Sequence, residues 1–186
     1  MANGLSGKRA AVVLTDGFET VEMTELKRAL EEAGATVQVV APQGKAATGD
    51  EKVVRGFNFP EWGEDHSVDV WLHDTDQSDY DALYVPGGVV NPDLLRLNEE
   101  AVAFVKSFFD TDKPVASMCH GPFMLIEANV VRGRTLTSWP SLHTDLRNAG
   151  ATWVDKEVVR DGKLVTSRTP NDIPAFNEAM IELFAD

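Results

Sequence analysis

Strand-like and helix-like segments alternate along most of this chain, and that alternation limits its folds more than any other feature. Residues 8–14 read as a buried strand, and after Asp16-Gly17 residues 20–33 read as a helix. Leu26, Ala29, Leu30 and Ala33 share one helical face, and Gly34 is a natural stop. Residues 36–41 are the next strand, and residues 80–86 another that ends in Gly87-Gly88. One helical stretch is expected over 92–109, a strand over 115–118, and a helix from Pro122 to about Asn129. Strands at 135–138 and 152–154 flank a helix at 141–148. Residues 158–160 and 164–167 flank Asp161-Gly162, a hairpin signal. Ile173, Phe176, Met180 and Phe184 line a terminal amphipathic helix, with Pro174 in its first turn. Such repeated units imply an α/β fold with a mainly parallel sheet and helices on both faces. Residues 43–79 are the least legible, with strands expected near 53–59 and 68–72 amid dense acid residues.

Ligands bind outside the carboxyl ends of strands in such sheets. Asp16 to Glu19, Gly87-Gly88 and Cys119-His120 each follow a strand, so three distant segments are expected at one rim. The 186 residues are expected to form one domain, 1–186, with no internal repeat. No apolar run approaches the ~20 residues of a membrane span, and no secretory leader is visible, so a cytoplasmic location is expected. The net charge of −13 disfavours nucleic acid and anionic membranes as partners. No Gly-x-Gly-x-x-Gly, phosphate loop or metal-ligand spacing occurs, so neither cofactor nor metal is expected. Trp62, Trp71, Trp139 and Trp153 read as core or interface anchors.

Cys119 is the only cysteine, which rules out an internal disulfide and suits a reducing compartment. A lone cysteine is more often an inert, buried small hydrophobe than a nucleophile. Here it stands where the apolar run Val115, Ala116, Met118 gives way to Gly121-Pro122 and a helical pattern. A side chain at that corner lies beside unpaired backbone N–H groups, which favour a thiolate. His120 beside it is placed to carry the proton.

Glu19 follows the first strand closely. An ionised carboxylate beside Cys119 would oppose the thiolate, whereas a protonated one donates to sulfur and favours it. Glu19 is therefore expected to be buried with a raised pKa, and Glu22, one turn on, is its competitor. Gly87 and Gly88 allow a ligand to approach the backbone, and with the His120 N–H they suit an oxyanion hole. Asp93, in the loop after the Gly-Gly turn, is the candidate to orient His120, although a first-turn acid is its plainer role.

These residues resemble the PfpI (intracellular protease I) family of the class-I glutamine-amidotransferase-like superfamily, which includes the parkinsonism-associated protein deglycase. The resemblance rests on Asp16-Gly-Phe-Glu19 with Val21-Glu22, Asp81-Ala-Leu-Tyr-Val-Pro-Gly-Gly88 and Leu97-Asn-Glu99. Its most specific stretches are Pro114-Val-Ala-Ser-Met-Cys-His-Gly-Pro122, Val131-Arg-Gly-Arg134 and Asn148-Ala-Gly-Ala-Thr-Trp-Val-Asp155. It implies a flavodoxin-like three-layer sandwich, with Cys119 as elbow nucleophile and Glu19 as its hydrogen-bonding partner. It also implies a homo-oligomer, a dimer or a hexamer built as a trimer of dimers. In the hexameric branch a glutamate after the Gly-Gly loop of a neighbouring subunit orients the histidine. The matching position here is Asp93, one methylene shorter, in a loop one residue longer. Members are described as cysteine peptidases, as glyoxalases or deglycases, and as stress proteins with an easily oxidised cysteine. The implied function is a cysteine-dependent stress-defence enzyme acting on small carbonyl adducts or peptides. The alternative is a redox-sensing or chaperone-like protein with little turnover.

Overall fold

The computed structural model describes residues 4–43 and 52–186. The chain runs β1 (Arg9–Val13), β2 (Phe18–Glu19), α1 (Thr20–Glu32), β3 (Thr36–Ala41), β4 (Val53–Asn58), β5 (Glu61–Ser67), β6 (Val70–Trp71) and β7 (Ala82–Val85). It continues through α2 (Val90–Leu95), α3 (Glu99–Asp110), β8 (Val115–Met118), α4 (Pro122–Glu127), β9 (Thr135–Leu136) and α5 (His143–Asn148). β10 (Thr152–Trp153), β11 (Val158–Asp161), β12 (Leu164–Ser167) and α6 (Ile173–Ala185) complete it.

Among the described residues the central sheet has the order β11-β12-β8-β7-β1-β3-β6. Every neighbouring pair is parallel except β11 with β12, the hairpin that Asp161-Gly162 signals. β1, β7, β8 and β12 are almost wholly buried because helices cover both faces, and Ala, Val, Leu and Met dominate them beside buried Ser117, Thr166 and Ser167. One core layer packs α1 and α6 against the sheet through Leu26, Leu30, Phe176 and Met180. The other packs α3 and α4 through Phe104, Val105, Phe108 and Leu125. This is the flavodoxin-like arrangement. From β1 the chain first builds outward to β3 and β6, then returns to β7 on the other side. The crevice between β1 and β7 is therefore the topological switch point.

Three local expectations are corrected. The helical stretch at 92–109 is two helices, because Asn98 caps α3 by accepting the Ala101 N–H at 2.9 Å. The segment Glu61–Ser67 is a strand, pairing antiparallel with β4 and forming a small sheet with β2. Residues 135–138 contribute only the short β9, which pairs with β10 away from the central sheet. No helix of the described residues is long and apolar enough to cross a membrane.

Candidate functional site

Cys119 follows β8 directly and has a φ of +56°, a left-handed conformation rare for a residue with a Cβ. Holding it there costs about 1–3 kcal/mol, which neighbouring contacts must offset. Its N–H donates to Ser167 O at 3.2 Å, and its carbonyl accepts the Trp139 N–H at 2.8 Å. The chain turns so tightly that a Cβ on Gly121 would lie 2.5 Å from both Ser117 Oγ and Val85 O. The elbow expected from sequence is thus present, and three strand ends pin it.

The carboxyl group against Cys119 belongs to Glu22, which corrects the choice of Glu19. Glu22 sits in the first turn of α1 on its apolar face, fully buried. Its Oε2 accepts the Gly87 N–H at 2.7 Å, while Oε1 is buried with no N–H or O–H donor among the described residues. The side chain that hydrogen-bonds it is the Cys119 thiol. Burial raises the Glu22 pKa from 4.5 to about 8; the Gly87 N–H and the thiol act the opposite way, and nearby Glu19 adds to the rise. Glu22 therefore keeps its proton at neutral pH.

Burial is also the largest influence on the thiol and pushes it well above its ordinary value. An ionised Glu22 pushes the same way, by its charge and by accepting the thiol proton, whereas the Gly88 and His120 backbone N–H groups lower it. The expectation that the corner alone holds a thiolate is corrected, because Cys119 is only 6% exposed and desolvation outweighs the N–H groups. The contribution from Glu22 depends on charge, however. Once protonated, its O–H becomes a donor toward sulfur, and the upward push turns into a downward one.

His120 Nδ1 lies 3.2 Å from Cys119 Sγ. Its ring stacks on Trp139, with centroids 5.6 Å apart and planes 24° apart. Burial lowers its pKa from 6.5 to about 4, so the imidazole is neutral at pH 7 and can accept a proton. Among the described residues no carboxylate hydrogen-bonds it. Asp93 is exposed on α2, outside the residues that line the pocket over Cys119.

That pocket has a volume of about 360 Å³, with Cys119 and His120 lining it beside Gly88. Gly87 is required by crowding, since a Cβ there would fall 2.5 Å from Cys119 Cβ and 2.6 Å from Glu22 Oε2. Glu19 lies half-buried in the pocket wall, placed by the β2–β4 pairing, with its pKa raised by burial. Phe57, Phe59, Val89, Trp139 and Pro170 supply apolar walls. Sequence reasoning missed this wall because its members come from β4 and from separate connecting segments far apart along the chain. It also missed Asn91, fully buried between the loops after β1 and β7. Asn91 Oδ1 accepts the Thr15 N–H at 2.8 Å, and Nδ2 donates to Pro86 O and Gly87 O, each at 3.1 Å. A signal for Glu22 was available: it lies four residues before Leu26, on the apolar stripe of α1.

The sequence pattern of the DJ-1/PfpI family matches residues 8–183. General stress protein 18 of Bacillus subtilis is 44% identical over 179 residues, covering 95% of this chain and 98% of that protein. The putative cysteine protease YraA of the same organism is 41% identical, with 95% and 98% covered. Deglycase TK1284 of Thermococcus kodakarensis is 39% identical, with 94% and 98% covered. Among solved structures, a two-domain protein from Anabaena variabilis with DJ-1/ThiJ/PfpI-like and ferritin-like domains superposes with a TM-score of 0.84 at 31% identity. The match covers 94% of this chain and 47% of that one, so the chain spans about half its length. DJ-1beta of Drosophila melanogaster gives a TM-score of 0.82 at 26% identity, with 100% and 92% covered.

Proposed function

The chain belongs to the DJ-1/PfpI family, and we propose that it is a cysteine-dependent stress-defence enzyme acting on 2-oxoaldehydes and their small adducts. One observation carries the reading. Cys119 lines a pocket of about 360 Å³, with a neutral imidazole nitrogen 3.2 Å from its sulfur. A space of that size suits a small carbonyl compound better than an extended peptide.

In this reading the thiol proton passes to His120 Nδ1, and Sγ adds to the aldehyde carbon. The carbonyl π pair moves to oxygen, where the Gly88 and His120 N–H groups receive it and His120 returns the proton. Glu22, protonated, donates to the sulfur while it is charged. Glu19, in the wall with a raised pKa, moves the proton of the hemithioacetal from the first carbon to the second. The first carbon is oxidised as the second is reduced, so the resulting thioester forms without an outside oxidant. Water then releases a 2-hydroxy acid and restores the thiol. Turnover of methylglyoxal that disappears in Cys119→Ser, with no Cys119-dependent cleavage of a peptide, is the expected outcome. Absence of Cys119-dependent turnover of methylglyoxal refutes the activity.

A redox role is favoured by a different observation: the carboxyl of Glu22 lies where it can donate to an oxygen placed on Sγ. Peroxide-dependent mass gain confined to Cys119, without turnover, supports that reading. We also propose that Asp93 acts across a homo-oligomer interface, since it lies outside the pocket of its own chain. Mixed oligomers of Cys119→Ser and Asp93→Ala chains then regain activity. No rescue in a verified mixed oligomer argues against it.

A further inference from the structure

The pocket over Cys119 has a chemical bias beyond its size. Phe57, Phe59, Val89, Trp139 and Pro170 give it apolar walls, and its two titratable acids are Glu19 and Glu22. No lysine or arginine lines it among the described residues. The aromatic walls are ordered: Phe57 and Phe59 meet edge to face at 6.3 Å, and Trp139 stacks on His120. A carboxylate-bearing substrate would leave water without gaining a counter-ion, and would stand beside Glu19. A neutral substrate with an aromatic substituent gains contact with the ring walls and meets no such opposition.

We propose that this site selects neutral 2-oxoaldehydes carrying an aromatic or bulky apolar substituent and rejects carboxylate-bearing carbonyl compounds. Phe57 and Trp139 set the preference, and Glu19 sets the rejection. This deepens the activity proposed above and rests on it, but the pocket chemistry can be read without turnover. An ionised Glu19 makes the site more hostile to an anion, and even a protonated one supplies no cation. The selection against anions therefore follows from the whole lining, and Glu19 sharpens it as pH rises through the raised pKa of that group.

The test uses the full chain in two arms. In the first, kcat/KM is measured for phenylglyoxal, methylglyoxal and 4-carboxyphenylglyoxal, which keeps the 2-oxoaldehyde unit and adds a carboxylate. Phenylglyoxal is expected to exceed methylglyoxal by roughly tenfold, and to exceed 4-carboxyphenylglyoxal by on the order of a hundredfold. Phe57→Ala lowers the first ratio; Glu19, the proton carrier of the proposed turnover, is tested by Glu19→Gln in the second arm, where it narrows the preference for the neutral reagent. In the second arm, the Cys119 alkylation rates by iodoacetamide and iodoacetate are each divided by the rate with free cysteine. The neutral reagent is expected to be favoured by at least about tenfold. Preserved alkylation preference without turnover overturns the proposed activity while supporting the pocket inference. Equal normalised rates for the two reagents overturn the pocket inference, whatever the turnover.

Discussion

Replacing Glu22 by glutamine removes a buried acid whose titration couples to folding. In the unfolded chain the carboxyl releases its proton near 4.5, whereas in the fold it holds it to about 8 because burial penalises the charge. Between those values the native state binds one proton more than the unfolded state, so stability falls as pH rises. The slope is ~1.4 kcal/mol per pH unit, which over this interval reaches on the order of 5 kcal/mol. Below pH 4.5 both states are protonated and the penalty vanishes; above about 8 it is constant. Glutamine keeps an acceptor for the Gly87 N–H and cannot titrate. Urea unfolding of both proteins between pH 5 and 8 should therefore show the variant gaining on the wild type by ~1.4 kcal/mol per unit. The same comparison in Cys119→Ser chains keeps the thiol's own titration out of the difference. A difference in unfolding free energy that stays flat across this range refutes the account of Glu22 as a buried, protonated acid.

His120, with its pKa lowered to about 4, should remain a competent base well below pH 6. The His120 ring pKa, followed by NMR titration of its imidazole resonances in Cys119→Ser, is expected near 4, and a midpoint near 6.5 contradicts its burial. Asn91→Ala strips partners from the Thr15 N–H and the Pro86 and Gly87 carbonyls. It should cost about 2–3 kcal/mol in chemical denaturation and reduce activity, and a loss below 0.5 kcal/mol would refute its clamping role. Gly121→Ala places a methyl group 2.5 Å from Ser117 Oγ and Val85 O. It should cost roughly 2 kcal/mol or more and slow the alkylation of Cys119, whereas a neutral effect on both contradicts the tightness of the elbow.

The central sheet was legible because most of its strands are built around short apolar runs with helical segments between them, as burial on both faces requires. The elbow was legible for the same reason, since Cys119 ends such a run and Gly121-Pro122 cannot continue it. β5 was not, because Glu61–Ser67 is largely exposed and charged, and its pairing with β4 depends on backbone bonds that leave no apolar alternation. The split between α2 and α3 was hidden because both helices bury residues at compatible spacing, and only the cap at Asn98 separates them. The choice of Glu19 over Glu22 relied on closeness along the chain to the strand end. The fold instead directs the apolar face of α1 toward Cys119, and Glu22 lies on that face. The direction of the thiol's displacement was missed because the corner argument weighed N–H groups and omitted burial. Trp139 read as an anchor in isolation; its place against His120 follows from the loop after β9, which no local pattern shows.

The account depends most on which partner holds the proton between Glu22 and Cys119. The direct measurement is the Cys119 thiol pKa, from pH-dependent alkylation of the wild type and of Glu22→Leu. If Glu22 is protonated and donates to sulfur, removing it raises the thiol pKa. A lower thiol pKa in Glu22→Leu would mean that Glu22 acts as a buried negative charge, and would contradict the account.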